Sequence, residues 1–141
     1  MSSEQHWRRL ERLYIEAPTN AYYRPTIEVA DATATVRIPV REEFFHAAGA
    51  VHGSHYFKAL DDAAFFAVAS LVDDNFVLTA SFNMYFERPV SAGTLTAIGK
   101  VIQRGRRVFL AESRLTDDDG CELARGSGTF MRSSTAWDEL P

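Results

Sequence analysis

The chain begins with apolar residues at helical spacing. Within residues 3–16, the apolar positions that would share one helix face are Trp7, Leu10, Leu13 and Tyr14. Ser2 or Ser3 can cap the start of this helix, and Pro18 lies just beyond its end. The pattern predicts an amphipathic helix with one face packed against the rest of the protein.

Strand-like patterns follow the first helix. Residues 27–29 and 34–40 carry alternating apolar side chains on either side of Asp31-Ala32, which predicts a hairpin. Residues 41–52 are expected to form a loop. The second half of the chain holds four longer strand-like runs, at 76–86, 95–103, 107–116 and 121–131. These runs predict an antiparallel meander, followed by a loose polar tail.

Residues 53–72 are alanine-rich and apolar on nearly every face, which is typical of a buried helix. The sequence Asp73-Asp74-Asn75 is expected to end it. A helix followed by a run of strands indicates an α+β fold with the helix packed on one face of the sheet. Because a flat sheet cannot surround a helix, either a second subunit or strong curling of the sheet must cover the rest of it.

Composition narrows the class of protein. The chain has 141 residues, 46% of them hydrophobic, a formal charge of -4 and one cysteine. These values predict a single domain without a disulfide framework or a cysteine-based zinc site, and they disfavour binding of nucleic acid. No apolar run is long enough to cross a membrane, and the first residues do not resemble a signal peptide. We therefore expect a soluble, cytoplasmic protein that does not bind membranes.

Gly53 stands where the buried helix is predicted to begin. Its backbone N–H would be unpaired at the positive end of the helix dipole, and the missing side chain would let a substrate oxygen approach. This arrangement suits an oxyanion site. The alternative is that the glycine serves only a tight turn into the helix.

Two carboxylates, Asp61 and Asp62, lie in the middle of the buried helix. Asp62 can pair with Lys58, which is four residues earlier on the same helix face. Asp61 has no such partner and is the candidate general base or nucleophile. The alternative is that Asp61 only forms hydrogen bonds with buried backbone.

The spacing of the two candidates constrains the site. Eight residues of helix separate Gly53 from Asp61, a rise of about 12 Å. One small electrophile cannot contact both residues of the same chain. Two chains with antiparallel helices could bring Gly53 of one to Asp61 of the other, so the spacing favours a site shared across a two-fold axis.

Other candidates have weaker support. His52 and His55 could bind a metal ion, but no third ligand stands at a telling distance, so no metal is expected. The Gly126-Ser127-Gly128 sequence lies within a strand pattern, where a nucleophile elbow does not occur, and Cys121 is expected to be a strand residue. The basic residues of one predicted turn are either solvated or a clamp for phosphates; they are Lys100, Arg104, Arg106 and Arg107.

Taken in order, three motifs resemble a known family. They are Val51-His52-Gly53-Ser54, Ala59-Leu60-Asp61, and Asn83-Met84-Tyr85-Phe86 with Pro89 and Gly93. Asp119-Gly120 and the run from Ala124 to Phe130 are similar to the same family's final hairpin. Residues 27–132 thus resemble the hotdog-fold acyl-CoA thioesterases of the phenylacetate-degradation (PaaI) type.

The resemblance implies a long helix wrapped by a curled antiparallel sheet, assembled as a dimer and often a tetramer. It divides the chain into an N-terminal helix and connector at 1–24, the hotdog domain at 25–132 and a tail at 133–141. It implies hydrolysis of acyl-CoA without a cofactor. In this reading Gly53 polarises the carbonyl, the partner's Asp61 is base or nucleophile, and Thr79 helps to hold water.

Two positions depart from the family pattern. Ser54 replaces a second glycine, and His46 stands where an asparagine or glutamine usually donates to the carbonyl. A histidine can also donate, with a different dependence on pH. The residues expected to bind substrate are His52, Ser54, Phe65, Arg104, Arg106 and Arg107.

The sequence leaves the acyl group and two other functions open. Aromatic residues that could line an acyl pocket, or simply fill the core, are Phe44, Phe45, Tyr56, Phe57, Phe65 and Phe66. The departures at His46 and Ser54 keep a non-catalytic acyl-CoA-binding protein as the alternative. A hydratase of the same fold is disfavoured because Asp61 lies inside the helix rather than in a loop at its start.

Overall fold

The computed structural model describes residues 1–141. Its α-helices are α1 (Ser3–Glu16), α2 (Asn20–Tyr23) and α3 (Gly53–Ala69). Its strands are β1 (Thr26–Ala30), β2 (Thr33–Pro39), β3 (Asn75–Phe86), β4 (Thr94–Arg104), β5 (Val108–Thr116) and β6 (Glu122–Ala136). Two 3-10 helices, at Glu42–Phe44 and Trp137–Glu139, complete the structure. None of the helices has the length and hydropathy needed to cross a bilayer.

The six strands form one antiparallel sheet in the order β1-β2-β4-β5-β6-β3. The expected meander is therefore wrong at one place: β3 pairs with β6, and β4 pairs with β2. The reason lies in the connector between β3 and β4. The amides of Val51 and Val40 donate to the carbonyls of Val90 and Gly93, at 2.9 Å each. These bonds carry the connector past the start of α3 and deliver β4 to the far side of the sheet.

The sheet curls around α3, which contacts all six strands. The sheet approaches α3 closely at Gly99 of β4, where a Cβ atom would lie 2.2 Å from the carbonyl oxygen of Ala63. Curling, rather than a second subunit, thus covers most of the apolar helix. The helix ends at Ala69, earlier than expected, because the amides of Leu71 and Val72 bond to carbonyls three residues back and leave α-helical geometry.

The two ends of the chain pack beside the C-terminal end of α3. A capping box of Ser2 and Gln5 begins α1, as expected for a serine start. The indole of Trp7 then donates to the carbonyl of Ser70 at 3.1 Å. The expected loose tail is wrong, because β6 continues to Ala136 and the indole of Trp137, 5% exposed, donates to the carbonyl of Val72 at 2.8 Å.

Candidate active site

Asp61 points from the middle of α3 toward β3. The hydroxyl of Thr79 donates to its Oδ1 at 3.0 Å. Burial raises the pKa of the Asp61 carboxyl from 3.8 to about 6, against the opposing effect of the Thr79 hydrogen bond. The carboxylate therefore changes charge close to neutral pH, as a general base must.

Asp62, the neighbouring carboxylate, has two partners at one of its oxygens. Its Oδ2 lies 2.8 Å from the Lys58 ammonium, and it accepts a hydrogen bond of 2.6 Å from the hydroxyl of Tyr14. The predicted pair with Lys58 is present, but it is not a surface pair: the Asp62 side chain is 15% exposed, and burial raises its pKa. Sequence reasoning missed Tyr14, which is 48 residues away in α1.

Asp61 and Thr79 open into a cavity of about 450 Å³, which we call the Asp61 chamber. Its floor is α3 and its walls are α1, the start of β3 and the C-terminal segment. Its apolar lining residues are Leu13, Tyr14, Ala17, Pro18, Phe65, Phe66, Phe76, Trp137, Leu140 and Pro141. The carboxylate thus faces a mainly apolar space, which accounts for its raised pKa.

A second pocket, of about 320 Å³, lies at the N-terminal end of α3 and is lined by Gly53, His46, Tyr56 and Phe86 among others. We call it the amide pocket. Gly53 is the first residue of α3, and its N–H makes no hydrogen bond within the chain. The ring of Phe86 lies where a side chain would be, 2.4 Å from an ideal Cβ on Gly53. A side chain at position 53 would therefore displace the Phe86 ring, and the glycine leaves room for that ring.

The residues that flank Gly53 have defined partners. His52 caps α3, and its Nδ1 accepts from the Ser54 amide at 3.0 Å and lies 2.9 Å from the Ser54 hydroxyl. His46 is exposed, and its Nδ1 accepts from the amide of Ala48 at 3.1 Å. That bond leaves the ring proton of neutral His46 on Nε2, and His46 lines the amide pocket.

The Asp61 chamber and the amide pocket share no residue. Gly53 and Asp61 lie in one helix, as the spacing predicted, so one chain presents the amide and the carboxylate at separate places. The outer edge of β3 pairs with no strand. Along this strand Leu78, Tyr85 and Phe86 are 50%, 72% and 61% exposed, respectively.

The basic turn is the tip of the β4–β5 hairpin, where Arg104, Arg106 and Arg107 are exposed and line neither pocket. Arg132 of β6, which the sequence analysis did not include, lies beside them and forms an ion pair with Asp74. Its guanidinium donates to the carbonyl of Arg106 at 3.1 Å, and its amide donates to that of Arg107 at 2.9 Å.

The remaining candidates are dispersed. Among the aromatic residues, Phe65 and Phe66 line the Asp61 chamber and Tyr56 lines the amide pocket, whereas Phe44, Phe45 and Phe57 line neither. The Nδ1 of His55 lies 3.0 Å from the hydroxyl of Tyr23. Gly126 and Gly128 lie within β6 against Phe82, and Cys121 is an exposed thiol before that strand.

Comparisons with known proteins agree with this architecture. A profile of the thioesterase superfamily matches residues 48–124. A protein of Saccharolobus solfataricus named "Putative esterase SSO2140" is 30% identical over 104 residues, which are 74% of each chain. The PaaI protein of Escherichia coli, from the phenylacetic acid degradation operon, superposes with a TM-score of 0.87 at 19% identity, over 95% of this chain and 97% of that one. A thioesterase of Haemophilus influenzae gives 0.79 at 17% identity, over 89% and 88%.

The curled sheet around one long helix is thus the hotdog fold, and the resemblance seen in the sequence is confirmed. The chain belongs to the thioesterase superfamily, and it is a thioester hydrolase.

Proposed function

We propose that this protein hydrolyses acyl-CoA thioesters at a site completed by two copies of the chain, with Asp61 from one copy and Gly53 and His46 from the other. The observation that carries the proposal is that the Asp61 carboxylate and the Gly53 amide of one chain lie in separate pockets. A carboxylate with a raised pKa opens into one pocket, and an unpaired helix-start amide opens into another.

In the proposed mechanism, ionised Asp61 takes a proton from a water molecule. At the same time the oxygen of that water attacks the thioester carbonyl carbon. Thr79 keeps the carboxylate oriented through its hydrogen bond. The tetrahedral oxyanion accepts hydrogen bonds from the Gly53 amide and from Nε2–H of His46. The intermediate then collapses: the carbon–sulfur bond breaks, and the leaving thiolate takes the proton from Asp61.

Asp61 could also attack the carbonyl carbon itself and form an anhydride that water then opens. Oxygen-18 found in Asp61 after a single turnover in labelled water would identify this second route. The general-base route places the label in the released acid alone. Attack by Asp61, with water opening the anhydride at the aspartyl carbonyl, places it in the Asp61 carboxylate.

The edge of β3 supports a dimer. This strand is 12 residues long and leaves one row of backbone groups without a strand partner. Such an edge, with exposed apolar side chains, favours pairing with another strand. Antiparallel pairing of two β3 edges across a two-fold axis makes one continuous sheet and sets the two α3 helices antiparallel. Assembly of dimers into a tetramer stays a prediction, which sedimentation tests.

The hairpin arginines support CoA as the leaving group. Arg104, Arg106 and Arg107 concentrate positive charge on a chain whose formal charge is -4, whereas the neighbouring Arg132 is paired with Asp74. Guanidinium groups bind phosphates well, and a local basic cluster offsets the repulsion of an anionic ligand by the rest of the protein.

Cys121, an exposed free thiol, suits a reducing compartment such as the cytoplasm.

Release of thiol from a panel of acyl-CoAs tests the proposal. We expect turnover by the wild type and a loss of about 100-fold or more in kcat for Asp61→Asn. Asp119→Asn is the matched control, because its exposed side chain accepts no hydrogen bond. Equal turnover by Asp61→Asn and Asp119→Asn would contradict the assignment of Asp61, and no turnover on any acyl-CoA would contradict the substrate class.

A further inference from the structure

Two walls of the Asp61 chamber come from parts of the chain outside the range that matches the superfamily profile. Leu13, Ala17 and Pro18 come from α1 and the turn after it. Trp137 and Leu140 come from the segment after β6. The residues that the profile matches, 48–124, form only the floor of the chamber and its β3 wall. The shape of the chamber therefore depends on terminal segments that lie outside the profile match.

The lining of the chamber suits the acyl group of an acyl-CoA better than the CoA portion. Most of the lining is apolar, and the Lys58 ammonium that reaches it is already neutralised by Asp62. Glu16 adds a further carboxylate to the wall. Phosphates would be repelled here, whereas an apolar acyl group would gain from burial.

The volume of the chamber indicates the size of that acyl group. A cavity of about 150 Å³ holds one benzene molecule. The chamber measures about 450 Å³ and has room for considerably more than a single ring. A short acyl group would leave most of the apolar lining in contact with water.

Given the proposed hydrolysis of acyl-CoA, we propose that the acyl group lies in the Asp61 chamber and that Leu13 of α1 and Leu140 of the C-terminal segment determine its size. The preferred substrates are apolar acyl groups larger than one aromatic ring, such as straight chains of about eight carbons or more. From the thioester carbon beside Asp61, the acyl chain runs between α1 and α3, and the CoA portion leaves in the opposite direction.

The test compares Leu13→Trp, which fills the chamber, with Ile15→Trp on the opposite face of the same helix. Ile15 is 49% exposed and does not line the chamber. The measured quantity is the ratio of kcat/KM for decanoyl-CoA to that for butanoyl-CoA. We expect this ratio to fall about tenfold or more in Leu13→Trp and to stay at the wild-type value in Ile15→Trp, because each excluded methylene weakens selection for the longer chain.

A binding measurement separates this inference from the proposed function. Calorimetry of decanoyl-CoA with Asp61→Asn, with and without Leu13→Trp, needs no turnover. A dissociation constant raised about tenfold by Leu13→Trp supports the acyl chamber even if hydrolysis fails. If the wild type hydrolyses decanoyl-CoA but Leu13→Trp changes neither the ratio nor the binding, the acyl placement is overturned and the proposed function stands.

Discussion

Replacing Asp61 by asparagine should make the protein more stable while it removes activity. In the folded chain, burial holds the pKa of Asp61 at about 6, against 3.8 for an unperturbed aspartate. At a pH above 6 the folded and unfolded states are both ionised, so the folded state carries the full cost of the buried charge. That cost disappears as the pH falls through 6 toward 3.8.

The shift sets the size of the effect. A difference of about two pKa units corresponds to about 3 kcal/mol, and the remaining contact of the carboxylate with water reduces this to about 1–3 kcal/mol. Asparagine is nearly the same size and can still accept the hydrogen bond of Thr79. We therefore expect Asp61→Asn to raise the free energy of unfolding by about 1–3 kcal/mol at pH 8.

Urea unfolding at pH 8 and at pH 4.5, at one protein concentration, measures this effect. The advantage of Asp61→Asn should shrink at the lower pH. Asp119→Asn is the matched control: its side chain is exposed and accepts no hydrogen bond, so its free energy of unfolding at pH 8 should equal that of the wild type. An Asp61→Asn variant that is no more stable than the wild type at pH 8 would refute the reasoning.

Three further predictions concern other parts of the molecule. His46→Ala should lower kcat about 10–100-fold and His46→Asn should retain more activity, since asparagine restores a donor; equal turnover by all three proteins would remove His46 from the site. Changing Arg104, Arg106 and Arg107 together to glutamine should raise KM for acyl-CoA and flatten the salt dependence of that KM. Hydrolysis of a short thioester without the nucleotide should be unaffected, and equal losses of activity on both substrates would indicate a structural role. Burial lowers the pKa of His6 below 6.5, so folding favours its neutral form. The free energy of unfolding should therefore decline as the pH falls below about 6.5. His6→Gln should flatten this part of the pH profile of unfolding, and an unchanged slope would contradict the assignment.

Local patterns along the chain predicted the helices and strands well. The spacing of apolar residues, and the residues that begin and end an element, are properties of neighbouring positions. The buried helix from Gly53 and the separation of Gly53 from Asp61 both followed from such patterns. The place of β3 beside β6 did not, because it depends on the path of the connector between β3 and β4.

Contacts between residues far apart in sequence account for what was missed at the candidate site. Tyr14 lies 48 residues before Asp62, and the residues between them give no sign that the two meet. Trp137 stands in a polar stretch that predicts a loose tail, yet its indole bonds to Val72 and its ring joins a wall of the chamber. The ring of Phe86, which packs where a side chain at position 53 would lie, comes from an edge strand 33 positions later.

Mixing two inactive variants tests the shared site most directly. Asp61→Asn removes the carboxylate, and Gly53→Val blocks the amide pocket by colliding with Phe86. If each site takes one half from each copy, a mixed dimer contains one intact site, and random exchange should restore roughly a quarter of the wild-type activity. Mass spectrometry confirms the exchange. Full exchange without any recovery of thiol release would contradict a site built from two copies.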